Sequence, residues 1–154
     1  MKDKVLFSFE RFSSLAGSDL VEYVEPYLTI RPEAVPVSVY EQLVSGLADW
    51  DEYHLVYALE LGMRLDPADF VGRLVPFLSH QDGSVCYAAY RLIKNRPPNE
   101  TLDDLISEIV SVPVVELFYK DPRSGEPRRI GTNEAFLRDL VGKTTLESGT
   151  SAMV

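Results

Sequence analysis

Apolar residues recur at intervals of three and four along most of the chain, the spacing that puts them on one side of a helix. The pattern is clearest from Phe70 to Asn95, where Leu74, Phe77 and Leu78 form one apolar face, His80-Gln81-Asp82-Gly83 interrupts it, and Val85, Ala88, Ala89, Leu92 and Ile93 form a second. That arrangement predicts two helices joined by a tight corner. Upstream, Leu20, Val24, Tyr27 and Leu28 predict a helix from Ser18 to about Leu28, with Pro26 calling for a kink or an early stop. Ser38 and Glu41 have the spacing of a capping box for a helix to about Leu47. Asp49-Trp50-Asp51-Glu52 is an acidic start for another, in which Leu55, Ala58, Leu59 and Met63 recur. Asp66-Pro67 marks the clearest boundary, because proline is pre-shaped for the first helical position. At the N-terminus, Val5, Leu6, Phe7 and Phe9 fit a short strand or a helical turn.

After the connector Arg96-Pro97-Pro98-Asn99-Glu100, Thr101 and Asp104 start a helix that reaches about Ser111 and is closed by Pro113. The pattern then changes. Val114 to Tyr119 is β-branched and aromatic, a turn follows at Asp121 to Gly125, and a second run leads to Ile130, so residues 114–130 read as a β-hairpin, with a continuing helix as the rival. Thr132 or Asn133 caps a last helix through Val141, and Gly142 stands where a C-cap would. The expected organisation is one helical domain over residues 1–142 and a flexible tail over 143–154.

A shift of 31 residues lays Leu43-Val44 over Leu74-Val75, Leu47 over Leu78, Asp51 over Asp82, Ala58 over Ala89 and Leu61 over Leu92. Repeat units therefore fall at about 39–65 and 70–95, and a third register fails where Pro113 meets Asp82. The run from Leu74 to Val85, continued through Ala88-Ala89 and Leu92, resembles a HEAT-like repeat, in which an Asp caps the second helix while Val and paired Ala pack inward. Cys86 stands where that family commonly carries Arg. The resemblance implies a short α-solenoid of antiparallel helix pairs and a binding role, so the expected fold is mainly α, with the small β-hairpin read at residues 114–130 near its C-terminus.

Composition sharpens this reading. At 154 residues, with 45% hydrophobic and 25% charged residues, the chain is long enough to bury a core without disulfides or metals. Its one cysteine, Cys86, lies in an apolar run and reads as buried and reduced. Glu10 directly follows a very short apolar stretch and no uninterrupted apolar run reaches membrane-spanning length, so neither a secretion signal nor a membrane span is expected and the expected location is cytoplasmic. Residues 12–69 hold eleven acids against only Arg31 and Arg64, so this segment alone carries the whole net charge of −9. Such a field repels nucleic acid and membrane phosphate and speeds encounter with a basic partner.

Candidate chemistry is sparse. His54 and His80 fit structural roles, no metal or phosphate-binding motif appears, and the pairs Asp51-Glu52 and Asp103-Asp104 sit at helix starts, where the dipole favours acids. The bases Arg91, Lys94 and Arg96 only balance neighbouring acids, which argues against a nucleic-acid site. No catalytic, cofactor or metal residue is assigned. The better lead is the mixture of acids with Tyr and Trp, residue types enriched at binding hot spots. Glu22, Glu25, Asp49, Trp50, Asp51, Glu52 and Tyr53 are the candidate partner-binding residues. In size and acidity the chain also resembles bacterial immunity proteins, which implies a non-enzymatic inhibitor that binds a basic toxin, such as a nuclease. The alternative is a HEAT-like adaptor or oligomer subunit whose acidity serves solubility.

Overall fold

The computed structural model describes residues 6–29, 32–47, 49–96, 103–121 and 123–148. Val5, Arg31, the connector residues 97–100, Thr101 and residues 149–154 of the expected tail lie outside them. Among the described residues the chain is mainly helical, with one antiparallel pair of strands, and it divides into two compact units, residues 1–67 and 68–154. No helix among the described residues is long and apolar enough to cross a membrane. The stacked solenoid expected from the repeat is not shown.

In the first unit, α1 (Phe9–Ser14), α2 (Gly17–Thr29), α3 (Val39–Gly46) and α4 (Glu52–Leu65) surround an apolar cluster that includes Phe12, Leu20, Val24, Leu43 and Leu61. Each such side chain stabilises the unit by roughly 1.5–3 kcal/mol relative to exposure. Of the N-terminal apolar residues, Phe9 opens α1, whereas Leu6 and Phe7 precede it outside any helix or strand and Phe7 is buried. Ser8 caps α1, its Oγ accepting the Arg11 N–H at 3.1 Å, while the Ser8 N–H donates to the Tyr23 hydroxyl at 2.7 Å. Pro26 does not stop α2, because it lies in the last turn, where the bond it cannot donate is one of few left to lose. The expected capping box at Ser38 is absent. Val39 and Tyr40 already donate to the Pro36 and Val37 carbonyls, so Ser38 has helical dihedrals and its side chain caps nothing. The α4 start instead has a full cap at Asp51.

The division falls at the start of α5 (Pro67–Leu74), in which Pro67 takes the first helical position as expected. Pro76 has no N–H to continue the ladder, and the chain tightens into a 3-10 turn over Val75–Ser79. Asp82 then caps α6 (Gly83–Lys94), its Oδ1 accepting the Ser84 and Val85 N–H groups at 2.9 and 3.1 Å. Val85, Cys86, Ala88, Ala89 and Ile93 are buried on α6, and Leu92 is half-buried. A 3-10 turn at Asp103–Leu105 leads into α7 (Ile106–Val110).

The hairpin reading is the right one. β1 (Glu116–Lys120) pairs with β2 (Pro127–Thr132), in the register Phe118 to Arg129 and Tyr119 to Arg128, with a bulge beside Leu117. Its extra residue is Ile130, followed by Gly131 at φ +136°, a conformation glycine adopts without strain. The last helix, α8 (Glu134–Ser148), does not end at Gly142 but runs on through residues 143–148. Asn133 binds the hairpin exit, the 3-10 turn and α8 together, as its side chain is fully buried yet fully used. Its Oδ1 accepts the Val115 N–H at 2.9 Å, and its Nδ2 donates to the Leu78 and Pro113 carbonyls at 2.7 and 3.0 Å.

Candidate functional site

Several acidic residues of the first unit stand on helix faces that the core does not use. On α2 the buried residues Leu20, Val24, Tyr27 and Leu28 define one face, and Asp19, Glu22 and Glu25 stand exposed on the other. On α4 the inward positions include His54, Leu55, Ala58, Leu59 and Leu61, and beside them run Tyr53, exposed, and Tyr57 and Glu60, half-buried, one turn apart. Tyr53 is 57% exposed. Tyr57 packs against the core of the first unit, and its hydroxyl is held above its ordinary pKa by burial, then by the charges of Glu25 from α2 and Glu60 from α4. Glu25, Tyr57, Glu60 and Tyr53 thus belong to one aromatic and acidic strip. Tyr57 is one of the tyrosines that the sequence intersperses with acids, but the candidate set stops at Tyr53 and omits both it and Glu60, although they follow Tyr53 by four and seven residues on one helix.

At the start of α4 the candidates separate by role. Asp49 is exposed. Trp50 is half-buried and serves the core, with its ring 5.5 Å from both Phe9 and Phe12, and so close to Gly46 that a Cβ there would stand 2.9 Å from the indole. Asp51 caps α4 by accepting the His54 N–H at 2.8 Å, and its carboxylate also meets His54 Nδ1 at 3.0 and 3.1 Å. The other ring nitrogen of His54 is 3.1 Å from the Phe12 carbonyl, so this buried side chain fastens α4 to α1. Burial pushes the Asp51 pKa upward, but the His54 backbone and ring bonds outweigh it and hold the carboxyl below its ordinary 3.8. Glu52 is half-buried in the first turn.

The second unit contains the other titratable clusters. An open groove of about 840 Å³ beside α8 is lined by Lys94, Glu134, Arg138 and Asp139 among others. At its edge the Tyr90 hydroxyl donates to Asp139 at 2.6 Å, and Lys94 Nζ lies 3.2 Å from that hydroxyl and 3.3 Å from Asp139. Burial and the bond to Asp139 raise the Tyr90 pKa, while the bonds to Tyr90 and Asp139 raise that of Lys94. Both groups are therefore held in their protonated forms at neutral pH, and neither is prepared to accept a proton. His80 accepts the Asp82 N–H on Nδ1 at 3.1 Å and stacks on Phe77, a local structural role. Cys86 is fully buried and donates to the Leu78 carbonyl at 3.3 Å, and burial raises its thiol to about 11. Among the described residues no group of His, Cys, Asp and Glu could hold a metal ion.

Protein-family models, curated proteins and solved structures give no match to this chain.

Proposed function

We propose that the chain is a non-enzymatic protein-binding module whose first unit engages a basic partner, in its most concrete form a bacterial immunity protein that neutralises a basic toxin such as a nuclease. The observation that carries this reading is the strip on α2 and α4, where Glu22 and Glu25 are exposed and the charges of Glu25 and Glu60 act on Tyr57 near the exposed Tyr53, with Asp49 exposed in the turn before α4. Acids in such an array accelerate encounter with a basic surface, and the tyrosines offer rigid contact area once the partner arrives. Against a nuclease, the carboxylates would occupy positions otherwise taken by substrate phosphates. The HEAT-like helix pairs serve in this reading as the frame.

The test begins with affinity capture from the native cell and identification of the bound protein by mass spectrometry. Glu22, Glu25 and Asp49 are then changed to Lys together, a set that avoids the capping role of Asp51. Association at low salt should slow by about tenfold or more, with thermal unfolding unchanged. Unaltered partner binding would remove the acidic surface from the account. A defined oligomer of the chain alone in light scattering would favour the subunit reading.

A further inference from the structure

Independently of the acidic strip, we propose that the open edge of β2 is a docking strand for an extended, acidic segment of a partner protein. The two edges of the hairpin differ. The outer side of β1 is occupied by the chain entering α6, since the Phe118 N–H donates to the Gln81 carbonyl at 2.8 Å and Phe118 forms a parallel bridge with Asp82. β2, among the described residues, pairs with β1 alone. The Phe118 bond also fixes which groups β2 presents. Because that N–H points away from β2, Phe118 and Arg129 form a pair that exchanges no bonds across the ladder. The alternation agrees at the turn, where the Asp121 N–H donates to the Glu126 carbonyl at 2.9 Å, three residues along from Phe118. The N–H and C=O of Arg129 and the C=O of Pro127 consequently face the open edge.

The side chains on this edge select the occupant. Arg128 and Arg129 are 75% and 55% exposed, and the acids nearest them, Asp121 at 3.8 Å and Glu116 at 3.1 Å, belong to the hairpin itself. Exposed pairs of this kind contribute little and exchange readily for an incoming carboxylate. Residues 116–132 hold four bases, Lys120, Arg123, Arg128 and Arg129, against three acids, in a chain whose net charge is −9. Ile130 and Tyr119, 57% and 46% exposed, add apolar contact. A second copy is disfavoured as the occupant, because antiparallel pairing of β2 with itself would bring arginines toward arginines. The edge is also pre-organised. Leu117 is buried, and Gly83 leaves room for the Phe118 carbonyl and the Ile130 side chain to lie over the start of α6. Strand addition to a fixed edge avoids the cost of ordering it.

The experiment uses the full chain and an end-capped peptide of about eight residues that alternates Glu and Val, with a Lys and Val peptide as control. Amide exchange is followed by NMR. Saturating acidic peptide should slow exchange of the Arg129 amide about tenfold or more, the control should not, and added salt should weaken the effect. The pair Arg128→Glu and Arg129→Glu should weaken binding about tenfold or more, and the milder pair to Gln by less, with unshifted Leu117 and Asn133 signals verifying the fold. Reversal of Glu22, Glu25 and Asp49 should leave this binding intact, which separates it from the acidic strip. Unchanged Arg129 exchange, equal protection by both peptides, or protection that grows with protein concentration alone would each overturn the proposal.

Discussion

Asp51 shows how one carboxylate can close a helix and anchor a neighbour. It accepts the His54 N–H at the start of α4 and holds the His54 ring against the Phe12 carbonyl. Asp51→Ala should therefore lower stability by about 1–2 kcal/mol, measured by urea unfolding at neutral pH. Its folded pKa lies below the ordinary 3.8, so the charged form stabilises the fold above that pH, and this contribution fades as pH falls through the lower folded value. Asp51→Asn, which keeps a good cap, should flatten the acid limb of the stability profile while costing less at neutral pH than Asp51→Ala. Asn133 is the more demanding position. Replacement by Ala leaves the Val115 N–H and the Pro113 carbonyl without their side-chain partner and returns only Cys86 to the Leu78 carbonyl. A buried group left unsatisfied costs about 1–3 kcal/mol, and because the Val115 and Pro113 bonds are only partly buried a loss of about 2 kcal/mol is expected in the same measurement.

Among the elements, the hairpin depends most on a single close approach. A Cβ on Gly83 would lie 2.6 Å from Ile130 Cδ1 and 3.3 Å from the Phe118 carbonyl oxygen. Gly83→Ala should destabilise by about 1 kcal/mol, and Ile130→Ala in the same chain should recover part of it, since the isoleucine is the tighter contact. A double-mutant cycle in urea gives the coupling directly. The helices carrying these contacts were legible in the sequence wherever local signals agreed, as at Asp66-Pro67 and Asp82, where caps and apolar spacing point the same way. The hairpin was legible from its β-branched and aromatic run. Other features depend on partners distant in the chain. Asn133 could be placed at a helix start, but its bond to Leu78 lies 55 residues away and leaves no local trace. The Ser38 cap failed because the turn begins at Pro36, and Gly142 was passed because a glycine raises the cost of a helix without forbidding it. At the candidate site, the acids and Tyr53 were readable as residue types, whereas the meeting of Glu25, Tyr57 and Glu60 required the packing of α2 on α4.

Across the molecule, charge and chemistry are divided between the two units. The acidic strip belongs to residues 1–67, and the hairpin with its basic edge belongs to residues 68–154. Trp50 and Cys86 follow the same division. The chain has one tryptophan and one cysteine, and each is embedded in a different unit. Trp50 rests on Gly46 and against Phe9 and Phe12, so its emission should shift to the red when the first unit loses its packing. Cys86 is sealed and held as a thiol, so a coloured disulfide reagent should label it only when the second unit opens. Fluorescence and thiol labelling of one unaltered sample thus follow the two units separately. Coincident urea midpoints would mean one cooperative transition, and separated midpoints would give each unit its own stability.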